Sequence, residues 1–137
     1  MAADARARAV MPLRYVESVD RVRAFYLEQL GFESFMGVVG GDGELDFAIV
    51  QSDGAMLMLS RPEAEGVTRG PLSIYVEVAD VDAYHAELAA RGVVVAKALQ
   101  TQWWGDRSFA VVDAAGDLLW FWQTVGEISP PPGVKLI

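Results

Sequence analysis

Apolar and polar positions follow two periods along this chain, and the switches between them mark its elements. "VMPLRYV" (10–16) reads as a strand. Ser18 then stands as an N-cap for "VDRVRAFYLEQL", which puts Val19, Val22, Phe25, Tyr26 and Leu30 on one helical stripe, with Gly31 as its stop. "ESFMGVV" and "LDFAIVQ" read as strands joined by the glycine-rich turn "GGDGE", and "SDG" leads into a further strand, "AMLMLS". The second half repeats the order. "LSIYVEV" is a strand, and Asp80 caps "VDAYHAELAAR", whose inward positions are Val81, Tyr84 and Leu88 before Gly92. "VVVAKAL", "SFAVV" and "DLLWFW" follow as strands.

Each half is therefore βαβββ, and the halves match residue by residue. A shift of 62 carries Val16, Val19, Asp20 and Ala24 onto Val78, Val81, Asp82 and Ala86. The same shift carries Gly54 onto Gly116, and Met56, Leu57, Met58 and Leu59 onto Leu118, Leu119, Trp120 and Phe121. One offset at both ends of the module argues for duplication. The expected fold is α+β: two βαβββ modules forming a cupped mixed sheet with the helices outside. The modules span 8–60 and 72–123, with a loop at 61–71 and a tail at 124–137, all within one domain.

The rows of each strand assign its faces. Ile74, Val76 and Val78 form an unbroken apolar row that should pack on the helix, leaving Ser73, Tyr75 and Glu77 for the other side. The repeat puts Met11, Leu13 and Tyr15 on that same side in module one. In the last strand Leu119 and Phe121 are the better helix-packing row. Leu118, Trp120 and Trp122 then face the concave side, as do Met56 and Met58 by the repeat.

Composition narrows the function. A net charge of −8 argues against nucleic acid, which needs clustered Lys and Arg. The absence of cysteine excludes disulfides, Cys-zinc sites and thiol catalysis. No apolar run approaches a membrane span, and "MAADARARAV" lacks the apolar segment of a signal peptide, so a cytoplasmic address is the default. The C-terminal "SPPPGVKLI" should be extended and exposed at Pro130 to Pro132.

The segments "YVESVDRVRAFYLEQLGFE", "YVEVADVDAYHAELAARGV" and "WGDRSFAVVDAAGDLLWF" resemble the vicinal-oxygen-chelate superfamily of glyoxalase I, extradiol dioxygenases and bleomycin-resistance proteins, over roughly residues 8 to 123. The family's Asp-Pro-x-Gly turn is here "DAAG", keeping Asp113 and Gly116 but not the proline. The resemblance implies metal ligands (His, Gln or Glu) on the first and last strand of each module. The matching positions are Met11, Met58, Ser73 and Trp120, none an imidazole or a carboxylate. The only histidine, His85, lies inside the second helix. Metal chemistry is therefore expected to be absent, and with it glyoxalase, epimerase, dioxygenase or fosfomycin-transferase activity.

The resemblance implies a protein of the bleomycin-resistance type: no cofactor, no catalytic residue, a small aromatic or cationic ligand, and a homodimer with a cleft shared between subunits. Its ligand-binding residues would be Phe47, Met58, Tyr75, Glu77, Trp103, Trp104, Trp120 and Trp122, with Glu77 meeting a cation and Asp46 or Asp106 as further candidates. Trp103 and Trp104 are adjacent and cannot both point into one face of a strand. Three alternatives stay open. The tryptophans fill a closed core; Glu77 in an apolar cup, with Tyr15 or Tyr75 as proton donor, makes a metal-independent enzyme; or the chain is an interaction module.

Overall fold

The structure, a computed structural model, describes residues 9, 11–62, 72–134 and 136. The expected loop at 61–71 lies outside these apart from Arg61 and Pro62, as does Val10 at the start of the first expected strand. The chain divides into two compact units, Met1–Arg69 and Gly70–Ile137.

Both units are βαβββ. The first runs β1 (Leu13–Tyr15), α1 (Val19–Ala24) with a π-helical continuation Phe25–Gln29, β2 (Glu33–Val39), β3 (Leu45–Ser52) and β4 (Ala55–Ser60). The second runs β5 (Ser73–Glu77), α2 (Val81–Ala90), β6 (Val95–Thr101), β7 (Asp106–Val112) and β8 (Leu118–Thr124). The sheet orders are β1-β4-β3-β2 and β5-β8-β7-β6. In each, the first strand pairs parallel with the last, and the other pairs are antiparallel.

The duplication extends to register. Leu13, Arg14 and Tyr15 stand beside Met58, Leu59 and Ser60, and Tyr75, Val76 and Glu77 beside Trp120, Phe121 and Trp122. Helix starts match too. The Ser18 hydroxyl accepts from the Arg21 N–H at 3.1 Å, and the Asp80 carboxylate from the Ala83 N–H at 3.0 Å. Each cap satisfies a backbone donor that the first helical turn leaves unpaired. Gly31 and Gly92 both end their helices at φ 78°, in the left-handed region.

Between cap and stop the two helices differ. The Val93 N–H donates to the Leu88 carbonyl at 3.0 Å, five residues back, whereas the Phe32 N–H donates to the Tyr26 carbonyl at 2.9 Å, six residues back. Module one holds one extra residue here, and the π-helical turn absorbs it, with the Leu30 N–H donating to Phe25 O at 3.3 Å. The stripe becomes Val19, Val22, Tyr26 and Leu30, all buried, while Phe25, expected among them, is only half-buried.

In module two Val81 and Leu88 are fully covered, as are Phe109, Val111, Leu119 and Phe121 of the sheet. Tyr84 meets Phe121 edge-on at 4.7 Å, and His85 meets Phe109 at 5.0 Å. In module one the sheet contributes Ala48, Val50, Leu57 and Leu59. In module one an arginine breaks the apolar rule. Arg14, where the repeat has Val76, is 2% exposed and donates through Nη1 to the Tyr26 hydroxyl at 3.0 Å. A buried guanidinium needs such acceptors, because unmade hydrogen bonds there are costly.

The tail departs from expectation. Pro130 to Pro132 are exposed, but the Val134 N–H donates to the Pro131 carbonyl at 3.1 Å, with Gly133 at φ 86°. A proline and a positive-φ glycine at the two central positions favour this turn over a continued extended run. Among the described residues no helix is long and apolar enough to cross a membrane.

Phe121→Ala should cost about 3–5 kcal/mol in chemical denaturation, because the ring is fully covered and its contact with Tyr84 leaves a cavity when removed. A loss under about 1 kcal/mol would place Phe121 outside the core.

Candidate functional site

Strand β8 is apolar on both rows, so packing decides their roles. Leu119 and Phe121 are buried on the α2 side, which leaves Leu118, Trp120 and Trp122 half-buried on the other. The parallel partner β5 sets Ser73, Tyr75 and Glu77 beside these three residues in turn. The Tyr75 and Trp120 rings lie 5.7 Å apart and 5° from coplanar. Tyr75 remains 64% exposed, so the stack is not closed over. On its other side β8 meets β7, where Ala110 lies beside Trp120 and Ser108 beside Trp122. These small residues are buried and leave the indoles room. Tyr75, Glu77, Trp120 and Trp122 are thus brought together on one helix-free face: an aromatic surface with an exposed carboxylate at its edge.

Trp103 and Trp104 occupy a different place, the turn between β6 and β7. Their rings meet edge-on at 5.4 Å, and they are 37% and 44% exposed. The tail holds this turn. The Val125 and Gly126 N–H groups donate to Gly105 O at 2.9 and 3.1 Å, and the Ser129 N–H to Trp103 O at 2.6 Å. Gly105 is at φ 96°, and a Cβ there would stand 2.5 Å from the Gly126 carbonyl oxygen, so only glycine fits. Asp106 accepts from the Thr124 hydroxyl at 3.1 Å.

Phe47 and Met58 belong to module one. Met58 stands beside Leu13 and Ile49, and Phe47 beside Ser60. Phe47 lines an open pocket of about 690 Å³ with Val38, Asp46, Ser60, Arg61 and Pro62. Neither this pocket nor a smaller one of about 250 Å³, formed by Leu72, Ser73, Gly116, Asp117 and Leu118, is lined by a tryptophan. Asp46, a candidate partner for a ligand cation, is already engaged by Arg61. The same guanidinium grips Asp42 with two hydrogen bonds, at 2.7 and 3.1 Å, and approaches Glu44 at 3.6 Å. Hydrogen bonds from Arg61, then from the Glu44 N–H, hold the Asp42 carboxyl down at about 2.

The positions that the resemblance assigns to metal ligands do not suit a hard cation. They offer two thioethers, a hydroxyl and an indole in Met11, Met58, Ser73 and Trp120. Among the described residues no group of three or more His, Asp or Glu side chains could hold a metal ion.

Sequence reasoning missed two groups here: the Arg61 network and a polar line, Ser108–Gln102–Gln100, beside Trp122. Only the acidic spacing of "GDGELD" hinted at the first.

Comparison with known proteins bears on the fold. Residues 8–121 match the profile of the Glyoxalase/Bleomycin resistance protein/Dioxygenase superfamily. An uncharacterized protein of Mycobacterium bovis is 29% identical over 133 residues, covering 88% of this chain and 86% of the relative. The bleomycin-binding protein of Streptomyces verticillus, solved with copper(II)-bleomycin, is 30% identical, with TM-score 0.63 over 90% of this chain and 100% of that one. TnmS3, an antibiotic-binding protein from Streptomyces sp. CB03234, is 25% identical, with TM-score 0.70 over 93% and 100%.

The Asp42 carboxyl should titrate near pH 2 by NMR, and Arg61→Met should move its midpoint up toward 3.8. Since the folded value is depressed, the stabilisation it carries is present above about pH 3.8 and lost as pH falls through about 2. An unmoved midpoint would show that Arg61 does not set it.

Proposed function

The chain belongs to the glyoxalase/bleomycin resistance protein/dioxygenase superfamily, and on that premise we propose that it is a metal-free binding protein for a small aromatic or cationic molecule. The observation that carries this reading is the near-coplanar, open stack of Tyr75 on Trp120, continued along the strand by Trp122. A soluble domain gains nothing by leaving such a ring pair uncovered, whereas a flat ligand gains stacking surface on it. A ligand cation is attracted to the ring faces and to Glu77 beside them. Glu77 is exposed, a setting that suits a charge partner better than a general base in an apolar cup. The likeness to two proteins described as bleomycin-binding and antibiotic-binding supports the same class of ligand.

Trp103 and Trp104 would extend the apolar contact from their turn. A homodimer with shared sites is part of this reading. The edge strand β2 exposes Phe35, Met36, Val38 and Val39, an apolar edge that a second copy would cover.

Tryptophan-fluorescence titration with metal-free bleomycin and a panel of aromatic antibiotics tests the proposal. Trp120→Ala should weaken binding by about 1–3 kcal/mol, the range of an aromatic hot spot, while stability falls far less than in Phe121→Ala. Undiminished binding by Trp120→Ala would remove the platform from the site. On the same preparation, light scattering should give a dimer mass and elemental analysis no stoichiometric divalent metal. A monomer, or about one zinc or nickel per chain, would overturn the corresponding part.

A further inference from the structure

Three polar side chains border the aromatic platform. Ser108 of β7 is the cross-strand neighbour of Trp122 on one side and of Gln100 in β6 on the other. Neighbours in register share a face, so Gln100, Ser108 and Trp122 form a row across three strands on the helix-free face. Gln102 links the first two. Its Nε2 donates to Ser108 Oγ at 3.3 Å, and its Oε1 accepts from Gln100 Nε2 at 3.5 Å. Exposure rises along the chain: Ser108 is 4% exposed, Gln102 is half-buried and Gln100 is open to solvent.

This line fixes polar groups beside apolar rings. A buried hydroxyl in such a row requires a partner, and Ser108 finds it in Gln102. Gln102 in turn steadies Gln100 at the rim. Each amide can rotate by 180° about its last bond, and the hydroxyl can either accept or donate, so the chain has two polarities. Its outer end therefore offers acceptor and donor together, in either order. A hydrocarbon rim would take any flat ring. This one favours a ring whose edge also carries both a carbonyl and an N–H.

From this geometry we infer that the site selects planar aromatic ligands bearing a carboxamide or lactam. The ring lies on Tyr75, Trp120 and Trp122, and the amide pairs with Gln100 and Gln102. Ser108 is a positioning residue that acts through Gln102. The inference rests on the reading of the platform as the ligand site.

Calorimetric titration with 2-naphthamide and 2-methylnaphthalene separates the two. The wild-type protein should bind the amide about tenfold more tightly, the worth of one or two net hydrogen bonds. Gln102→Leu should erase that preference, so that the two probes bind this variant equally. Ser108→Ala should reduce the preference in the same way, and it serves as the second variant should Gln102→Leu melt below the wild type. Equal binding of both probes by the wild type, or a preference that survives both substitutions, overturns this inference and leaves the platform standing. Failure of the wild type to bind either probe overturns the platform reading and this inference with it.

Discussion

The edge-on contact of Tyr84 with Phe121, at 4.7 Å, decides what the second module can present. Strand β8 carries large apolar side chains on both rows, and either row could have been the core. Once Phe121 and Leu119 are committed to α2, strand alternation leaves Trp120 and Trp122 on the opposite face. The parallel pairing with β5 then delivers Tyr75 and Glu77 to the same face. Burial also pushes the Tyr84 hydroxyl up, since ionising it would put a charge at the edge of the core.

Much of this was legible in the sequence because duplication supplied a second reading of every element. Caps, stops and strand rows each appeared twice, and the row assigned in "DLLWFW" carried over by the repeat to "AMLMLS", where Leu57 and Leu59 are also the buried pair. The π-helical turn was not legible. A stripe at Val19, Val22, Tyr26 and Leu30 suits a regular helix as well; the stops Gly31 and Gly92 betray an inserted residue, but only the backbone bonding shows that a π-helical turn absorbs it. Arg14 was hidden for another reason. An arginine in a strand reads as surface, and its partner Tyr26 is twelve residues away on another element.

The candidate site was legible in part. Four of its residues follow from alternation and repeat. The clasp between the tail and the Trp103–Trp104 turn runs through backbone groups of Gly105, Val125, Gly126 and Ser129, which have no side-chain signature. The Gln100–Gln102–Ser108 line needs β6, β7 and β8 in register, and that register includes shifts no sequence pattern announced. Asp46 looked available to a ligand because Arg61, fifteen residues on, gave no sign of folding back to it.

The parallel pairing of first and last strands also governs the order of assembly. Leu13 must meet Met58, and Tyr75 must meet Trp120, across equal separations of 45 residues. Closing so long a loop costs entropy before any contact repays it, so each helix and each local hairpin can form first, while the edge strand waits. On the ribosome, module one can complete its sheet once Ser60 has emerged, whereas the face bearing Tyr75 stays without its partner until β8 is made. The aromatic surface is thus the last part of its module to be assembled, joined by the strand that also completes the core beneath it.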